Sequence, residues 1–274
     1  EPVESAGEHA TTLQRYAPAR PAMKWPFSEI WRVPVTPRLP RWALAPHRRV
    51  AAAVAVHRGL IAAIGSDVPG FITGRDGDGP RRDTGHLAIH VTEEAGLVFA
   101  LPADVNEADR AALLDALARG PGLRLGGRSY RLGLPTVGPA TRFWPATSPI
   151  WRTEVPLVLD TAGPPRHGRW TLDDAVLCSV GYALRSVLEG EGVEWGAGWA
   201  FRRRLVDELR RRGVAAQAHR VTRQASRYIH RAREGDLLVA AHATVAPGSL
   251  APDAGAFLAL GRARHLGGGL LRPV

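Results

Sequence analysis

Histidine is the side chain in this sequence best suited to proton transfer near neutral pH, and the chain has 10 of them. One of these, His57, lies in the alanine-rich run RRVAAAVAVHRGLIAAIG, which predicts a helix that ends at Gly65. An apolar stripe on that helix comprises Val50, Val54, Ile61 and Ile64. Because His57 continues this stripe, it either belongs to the core or faces a cleft.

A second pair of histidines lies in the segment HLAIHV, which predicts a β-strand. In a strand, His86 and His90 share one face, about 13 Å apart, whereas Leu87, Ile89 and Val91 point the other way. That separation is too large for a single metal ion. If the apolar side packs against helices, we expect both histidines on the open face of the sheet. A solvated strand face without function is the alternative.

Positive charge is concentrated in one part of the chain. The formal net charge is +10, and almost all of the basic residues are arginine because Lys24 is the only lysine. Between Phe201 and Arg233 there are eleven arginines and two acids, whereas residues 1–200 have 22 basic and 21 acidic residues. This distribution is typical of a surface that binds a polyanion. The forked donors of arginine suit phosphate, so we predict nucleic acid as the partner.

The arginine-rich block, residues 201–233, begins with WAFRRRLVDELRRRG, which predicts a helix ended by Gly213. An alternative to nucleic-acid binding is local pairing, because Asp207 and Arg211, and also Glu208 and Arg212, have i,i+4 spacing. The pattern from 214 to 233 fits either a helix or a strand that runs into a turn. The candidate RNA-binding residues of the block are Arg202, Arg203, Arg210, Arg211, Arg220, Arg223, Arg227 and Arg231.

The chain divides into a tail and two similar units. Residues 1–24 are polar without periodicity, and we predict a linker or disordered tail. The segment WPFSEIWRVPV near Trp25 recurs as WPATSPIWRTEVPL from Trp144, which predicts one unit at 25–140 and another at 141–274. The order of elements in each unit is βαββαβ. That order predicts an α+β protein with two tandem ferredoxin-like, RRM-like units.

Three individual elements of the two units are predicted by local patterns. RSYRLGL, residues 128–134, is expected to be the last strand of the first unit. In the second unit, residues 171–190 predict a helix with Thr171 as its N-cap. APDAGAFLALG, residues 251–261, predicts a further helix before the last strand.

Three segments carry a resemblance to a known family: LGRARHLGGGLLRP near the C-terminus, TGRDGDGPRRDTGHLAIHV and YIHRAREGD. The first resembles the glycine-rich loop of the RAMP superfamily of CRISPR-associated proteins. The other two are similar to the fused protein of subtype I-G, formerly I-U, and the chain as a whole resembles the repeat-processing endoribonuclease part of that fusion. In this loop, residues 261–269, glycines would let the main chain approach phosphate. Its candidate RNA-binding residues are Gly261, Arg262, Arg264, His265, Gly267, Gly268 and Gly269.

The resemblance implies metal-independent cleavage of the repeat of precursor CRISPR RNA, leaving a 2′,3′-cyclic phosphate and a 5′-OH. It also implies that the protein stays bound to the 3′ repeat hairpin of crRNA, with other Cascade subunits as partners. Because the family's general acid/base often lies on the first helix, His57 ranks first as a catalytic candidate, followed by His47 and His86. The alternative is a non-catalytic RAMP subunit that binds crRNA within Cascade.

The sequence lacks the motifs of several other functional classes. The segment WGAGWAF lacks the third glycine of a dinucleotide site, and there is no P-loop, zinc-type cysteine set or serine elbow. We therefore predict no cofactor and no metal. The single cysteine, Cys178, and the absence of a signal-peptide pattern predict a cytoplasmic protein without membrane association. Because the sequence begins at Glu1 and its only methionine is Met23, it is also expected to be a processed or excerpted part of a longer chain.

Overall fold

The structure is a computed structural model that describes residues 25–76, 79–80, 85–94, 96–145, 148–161, 170–222, 224–232, 235–250 and 255–274. The predicted tail, 1–24, and the candidate Arg223 lie outside the described residues. The described chain is an α+β protein whose strands form antiparallel sheets, which agrees with the predicted class.

The helices are α1 (Arg41–Leu44), α2 (Pro46–Ile64), α3 (Gly70–Thr73), α4 (Glu107–Ala118), α5 (Leu172–Ala183), α6 (Arg185–Gly190) and α7 (Gly198–Arg211). The strands of the first half are β1 (Phe27–Val33), β2 (Val35–Thr36), β3 (Arg75–Asp76), β4 (Gly79–Pro80), β5 (Ala88–Thr92), β6 (Gly96–Pro102), β7 (Gly122–Leu125), β8 (Arg128–Leu132) and β9 (Thr136–Pro139). Those of the second half are β10 (Trp151–Thr153), β11 (Leu157–Val158), β12 (Ala215–Thr222), β13 (Ala240–Ala246) and β14 (Leu271–Pro273). Short 3-10 helices span Ala140–Arg142, Ala225–Tyr228 and Gly248–Leu250.

The first sheet has the strand order β5-β6-β1-β9. One of its faces packs against α2 and α4 in a core that includes Leu87, Ile89 and Val91. The prediction that the apolar side of this strand meets the helices is therefore confirmed. The run from 48 to 65 also forms α2 as predicted, with Gly65 at its C-cap in the positive-φ region (φ 97°).

The second sheet has the order β11-β13-β10-β14, with β12 also paired to β13. Helix α5 packs against β12, and α7 packs against α5, so the helices cover one face. The Thr171 side chain accepts a hydrogen bond from the Asp174 amide in a capping box, which confirms the predicted N-cap. The predicted helix 171–190 is divided into α5 and α6 at Leu184.

Two element predictions are wrong. Strand β8 pairs with β2 and β7 in a separate three-stranded sheet, and the fourth strand of the first sheet is instead β9. Among the described residues of the predicted helix 251–261, residues 255–261 form no helix and run as a buried segment. A continuous apolar run does not distinguish a buried extended chain from a buried helix, because it lacks the periodicity of either.

The other face of the first sheet is also buried, which corrects the prediction of an open histidine face. Ala88 on β5 and Val98 on β6 belong to the same hydrophobic core as Phe257 and Trp144 of the second half. His90 is 1% exposed, and its ring lies edge-on to Phe257 with the ring centroids 5.2 Å apart. The second half of the chain covers this face, so RNA has no access to His90.

Candidate nucleic-acid interface

His57 lies on the fourth turn of α2, half-buried at the margin of its packed face, beside the fully buried Val56. Its Nε2 is 2.7 Å from the carbonyl oxygen of Ile72 in α3, so Nε2–H donates this bond. The remaining nitrogen, Nδ1, makes no hydrogen bond to another described residue. His57 is therefore held in one orientation, with Nδ1 as the nitrogen available to accept or deliver a proton.

His230 lies within range of the His57 charge, in the segment that follows the 3-10 helix Ala225–Tyr228, and that 3-10 helix packs against α2. Although His230 is exposed as a residue, partial desolvation of its ring lowers its pKa. The positive charges of His57, Arg231 and Arg58 lower this pKa further. A histidine with a lowered pKa is neutral at pH 7 and can accept a proton. The structure thus brings together two histidines and two arginines from distant parts of the sequence.

A second pair of histidines lies near the C-terminal end of α3. The rings of His86 and His265 are in contact, tilted by 37° with their centroids 4.9 Å apart, and the His86 ring lies against Gly74 at the end of α3. Burial lowers the pKa of His265 well below its ordinary value of 6.5, and the charges of Arg264, His86 and His90 lower it further. His265 is therefore neutral near pH 7.

The glycines of the glycine-rich loop, residues 261–269, are buried and face protein backbone. A Cβ on Gly267 would lie 2.8 Å from the Arg49 carbonyl oxygen of α2, and one on Gly268 would lie 3.3 Å from that of Tyr228. Gly261 and Gly269 would likewise meet the carbonyl oxygens of Val158 and Leu260. Close packing explains these glycines physically, because no side chain fits in the space.

The main-chain amides of this loop are the groups that would donate to a phosphate approaching the main chain. Those of Arg262, Arg264, Leu266 and Gly268 already donate to carbonyl oxygens within the protein, at 2.8, 3.1, 2.9 and 3.0 Å. In this conformation these four amides are not available to a phosphate, because each donor is already used. RNA contact through the loop's side chains stays a prediction, although two of those are also ion-paired. Arg262 lies 2.6 Å from Asp236, and Arg264 lies 3.3 Å from Asp160.

The arginine-rich block, 201–233, is divided among several elements. On α7, Arg210 pairs with Asp174 and Arg211 pairs with Glu208, while the Arg202 guanidinium lies 5.4 Å from the centre of the Trp199 ring. Arg203 is exposed. The predicted pair of Glu208 and Arg212 is present at 2.5 Å, but Asp207 approaches Arg210 instead of Arg211. Much of the charge on α7 is therefore compensated within the protein.

The remaining candidates of the block lie beyond α7. Arg220 is on the edge strand β12, Arg227 is in the 3-10 helix that packs on α2, and Arg231 follows it. All three are exposed, and within the described part of the chain none forms an ion pair. The stretch that sequence patterns left undecided is therefore a strand, then a 3-10 helix. These arginines can bind phosphate more readily than those of α7.

Strand pairing reveals a polar surface that the sequence does not indicate. On the sheet face away from α5, cross-strand pairing places Gln217 beside Thr244, Thr244 beside Arg152, and Arg152 beside Arg272. Arg272 also pairs with Glu94 from the β5–β6 hairpin. These residues lie far apart in the chain, so the sequence does not show that they share a face. The one local signal is the alternation of polar residues in AAHATVA, which marks one strand of this surface.

Two histidines extend this surface. His219 contacts the Thr244 hydroxyl, and His242 Nδ1 lies 3.3 Å from the Thr153 hydroxyl. Burial lowers the pKa of His242, the hydrogen bond to the Thr153 backbone raises it, and the charges of Arg220 and His219 lower it again. This face thus offers neutral donors and acceptors beside arginines, a combination suited to phosphate and sugar contacts.

His47, the second catalytic candidate, is exposed in the first turn of α2. It lies ten residues from His57, about 15 Å along the helix, so the structure does not bring the two together. No group of three or more His, Cys, Asp or Glu side chains in the described ranges could hold a metal ion. A membrane-crossing helix is also absent from the described residues, since none is both long and apolar enough.

No protein-family model matches the sequence. The search of curated proteins likewise gives no match.

Structural neighbours of the chain are Cas6 and RAMP proteins. A Cas6 product complex is 16% identical with a TM-score of 0.44, and the match covers 92% of this chain and 100% of that one. A RAMP protein binding different RNA substrates is 13% identical with a TM-score of 0.46, covering 90% and 99%. The product of a Cas6-related gene from Pyrococcus furiosus is 9% identical with a TM-score of 0.40, covering 91% and 98%. Since each TM-score is below 0.5, the chemistry of this chain rests on its own residues.

Proposed function

We propose that this protein binds the repeat of precursor CRISPR RNA and cleaves it without a metal ion. The observation that supports this most strongly is the packing of the 3-10 helix Ala225–Tyr228 on α2, which brings His230 and Arg231 close enough to His57 and Arg58 for their charges to act on His230. These histidines can transfer protons near neutral pH, and these arginines can bind the phosphate between them. The proposed partners are crRNA and the other subunits of a cytoplasmic Cascade complex.

The proposed reaction requires two proton transfers. The 2′-OH attacks the adjacent phosphorus, the new O2′–P bond forms, and the P–O5′ bond breaks. His230, which is neutral because of its lowered pKa, accepts the proton of the 2′-OH. His57 delivers a proton to O5′ from Nδ1, since its Nε2 is occupied by the Ile72 carbonyl. Arg58 and Arg231 stabilise the added negative charge on the pentavalent phosphorus.

We also propose that both halves are ferredoxin-like units. The orders β5-β6-β1-β9 and β12-β13-β10-β14 are equivalent, because in each the first strand lies between the third and the last. The duplicated WR dipeptides support this, since Trp31 and Trp151 lie in the equivalent strands β1 and β10. The duplicated WP tryptophans play matching roles as well. The Trp25 indole donates to the Phe257 carbonyl and the Trp144 indole to that of Leu271, each at 3.0 Å.

Replacing His57 or His230 by alanine is expected to slow repeat cleavage at least about a hundredfold, which is the usual contribution of a general acid or base. The measurement is single-turnover cleavage of a 5′-labelled repeat RNA in EDTA. RNA affinity should change only a few-fold, because the loss concerns proton transfer. Glu189→Gln on the exposed surface of α6 serves as a control and should cleave normally.

Two outcomes of the same cleavage assay would contradict this assignment. If His47→Ala abolishes cleavage while His57→Ala and His230→Ala cleave normally, the reaction takes place at the start of α2 and the assignment above is wrong. If the unaltered protein binds the repeat RNA without cleaving it, the catalytic proposal fails.

Repeat binding should weaken steeply with salt, because each phosphate contact releases counterions. Substituting Arg220, Arg227 and Arg231 together by glutamine should reduce the slope of log K against log salt by about 2. Fluorescence anisotropy at salt concentrations from 50 to 300 mM measures this slope. A matched triple variant of the exposed arginines Arg119, Arg131 and Arg142 removes the same charge elsewhere and should keep most of the slope. Equal slopes for both triple variants would contradict a specific role for the first set.

A second candidate function is non-catalytic binding of crRNA as a RAMP subunit. The contact between His57 Nε2 and the Ile72 carbonyl favours it, since a half-buried, hydrogen-bonded histidine can simply join α2 to α3. In that case His57→Ala lowers the melting temperature, and the unaltered protein retains intact repeat RNA.

A further inference from the structure

A basic cleft with an exposed tryptophan lies beside α1, apart from His57 and His230 and outside the arginine-rich block. It has a volume of about 470 Å³ and is lined by Pro40, Trp42, Arg48, Gly126 and Arg128. Trp42 is 41% exposed, whereas tryptophan is a highly buried residue on average. Arg48 and Arg128 are both exposed, and no acidic residue lines the cleft among the described residues.

The Trp42 ring has a fixed support. It lies against the turn between β7 and β8, where Gly126 and Gly127 both have positive φ (57° and 77°). A Cβ added to Gly126 would lie 2.6 Å from a carbon of the Trp42 ring, so only glycine leaves room for it. The indole is thus held by the hairpin at one edge and exposed elsewhere.

The chemistry of this cleft selects one kind of ligand. An exposed indole stacks on a flat, unpaired ring, and every nucleobase has such a face. Arginines on either side can bind the flanking phosphates. A base-paired duplex hides its faces within its own stack, so it does not suit the cleft. The volume accommodates one nucleotide rather than a helix.

We propose that the cleft formed by Trp42, Arg48 and Arg128 is a subsite for single-stranded RNA, in which one unpaired base stacks on Trp42. The subsite rests on the proposed RNA-binding function and gives it a place for unpaired nucleotides adjoining the repeat. The sequence offered no indication of it, because residues 1–200 are nearly neutral overall. Folding collects these basic residues from α2 and from the β7–β8 hairpin.

The test is the affinity for a fluorescein-labelled octamer of uridine, measured by anisotropy at several salt concentrations. Trp42→Ala should weaken binding about tenfold without changing the salt slope, because stacking releases no counterions. Trp42→Phe should recover part of the affinity. Arg48→Gln and Arg128→Gln should each reduce the slope by about 0.7, the value for a single strand.

Two matched controls separate the cleft from general surface effects. Leu114 on α4 has the same exposure as Trp42, 41%, and Leu114→Ala should leave the affinity unchanged. Arg124 lies on the same hairpin outside the cleft, and Arg124→Gln should leave the slope unchanged. Equal losses for a variant and its control, or a Trp42→Ala affinity within twofold of the unaltered protein, would overturn the proposal and favour a protein partner at this surface.

A third measurement needs no variant. Photo-crosslinking of an octamer containing 4-thiouridine, followed by trypsin and mass spectrometry, should label the peptide of residues 42–48. Crosslinks confined to other peptides would refute the subsite. Failure of the subsite is also distinct from failure of the proposed function, because a protein that cleaves the repeat but shows no Trp42 effect loses only the subsite. A protein that binds the octamer through Trp42 without recognising the repeat loses only the repeat-processing function.

Discussion

Replacing Arg49 by alanine is expected to destabilise the protein by about 3–5 kcal/mol, the usual cost of leaving one partner of a buried ion pair alone. Arg49 is 1% exposed, although it lies on the second turn of α2. Its Nε donates to the Leu44 carbonyl, and its guanidinium lies 2.6 Å from a carboxylate oxygen of Glu154 in the second half. The substitution leaves the Leu44 carbonyl oxygen and the Glu154 carboxylate without this partner, in a region with little water. Urea unfolding monitored by circular dichroism measures the change.

A double substitution identifies the cause of that loss. Arg49→Met with Glu154→Leu removes both charges and keeps much of the volume, so it should restore most of the stability. A loss below 1 kcal/mol in Arg49→Ala would show instead that the pair behaves like a solvated surface pair. The second contact of Arg49, with Glu93 at 3.7 Å, contributes little because the Glu93 side chain is 70% exposed.

Arg49 connects the two halves at the point where function is proposed. Its carbonyl oxygen lies against Gly267 of the glycine-rich loop, and His57 lies two turns further along the same helix. A change that loosens α2 from the second half would therefore displace His57 relative to His230, which comes from that half. Rate effects of variants near this contact need to be compared with their unfolding free energies.

Local patterns predicted individual elements well. The N-cap at Thr171, the end of α2 at Gly65 and the apolar face of β5 depend on a few neighbouring residues, and all three are present. Strand β9 was missed because Thr136–Pro139 is short, exposed at the sheet edge and ends in proline, so it has no alternating pattern. The helix at 251–261 was wrongly expected because an apolar run fits more than one buried conformation.

Contacts between distant segments could not be predicted. Whether His90 is open or buried depends on whether the segment containing Phe257 covers the first sheet, and nothing near His90 in the sequence indicates that. The partnership of His57 with His230 depends likewise on a 3-10 helix packing against α2. The candidate site therefore contains one histidine ranked first from the sequence, and one that only the fold places beside it.

His90 gives the fold a marked sensitivity to acid. Burial lowers the pKa of His90 from 6.5 to about 4, while its hydrogen bond to the Arg264 carbonyl raises it and the charge of Arg49 lowers it. The folded protein therefore holds His90 neutral at pH values where the unfolded chain binds a proton. The contribution of His90 to stability is fully present above pH 6.5 and is lost as the pH falls from 6.5 towards 4. For this residue alone the loss between pH 7.5 and pH 4 is about 3 kcal/mol.

The substitution His90→Gln separates this effect from the titration of carboxylates. Glutamine offers an N–H donor to the Arg264 carbonyl, which His90 Nε2 approaches at 2.7 Å, but it cannot bind a proton in this range. The variant should lose about 3 kcal/mol less than the unaltered protein between pH 7.5 and pH 4, whatever its stability at pH 7.5. Urea unfolding at half-unit pH steps provides the comparison, with His219→Gln on the exposed edge strand as control.

Because His265 is also buried and neutral, some acid sensitivity should persist in His90→Gln. Parallel pH profiles for the variant and the unaltered protein would mean that His90 is accessible to water, and that the two halves do not close over the first sheet in solution.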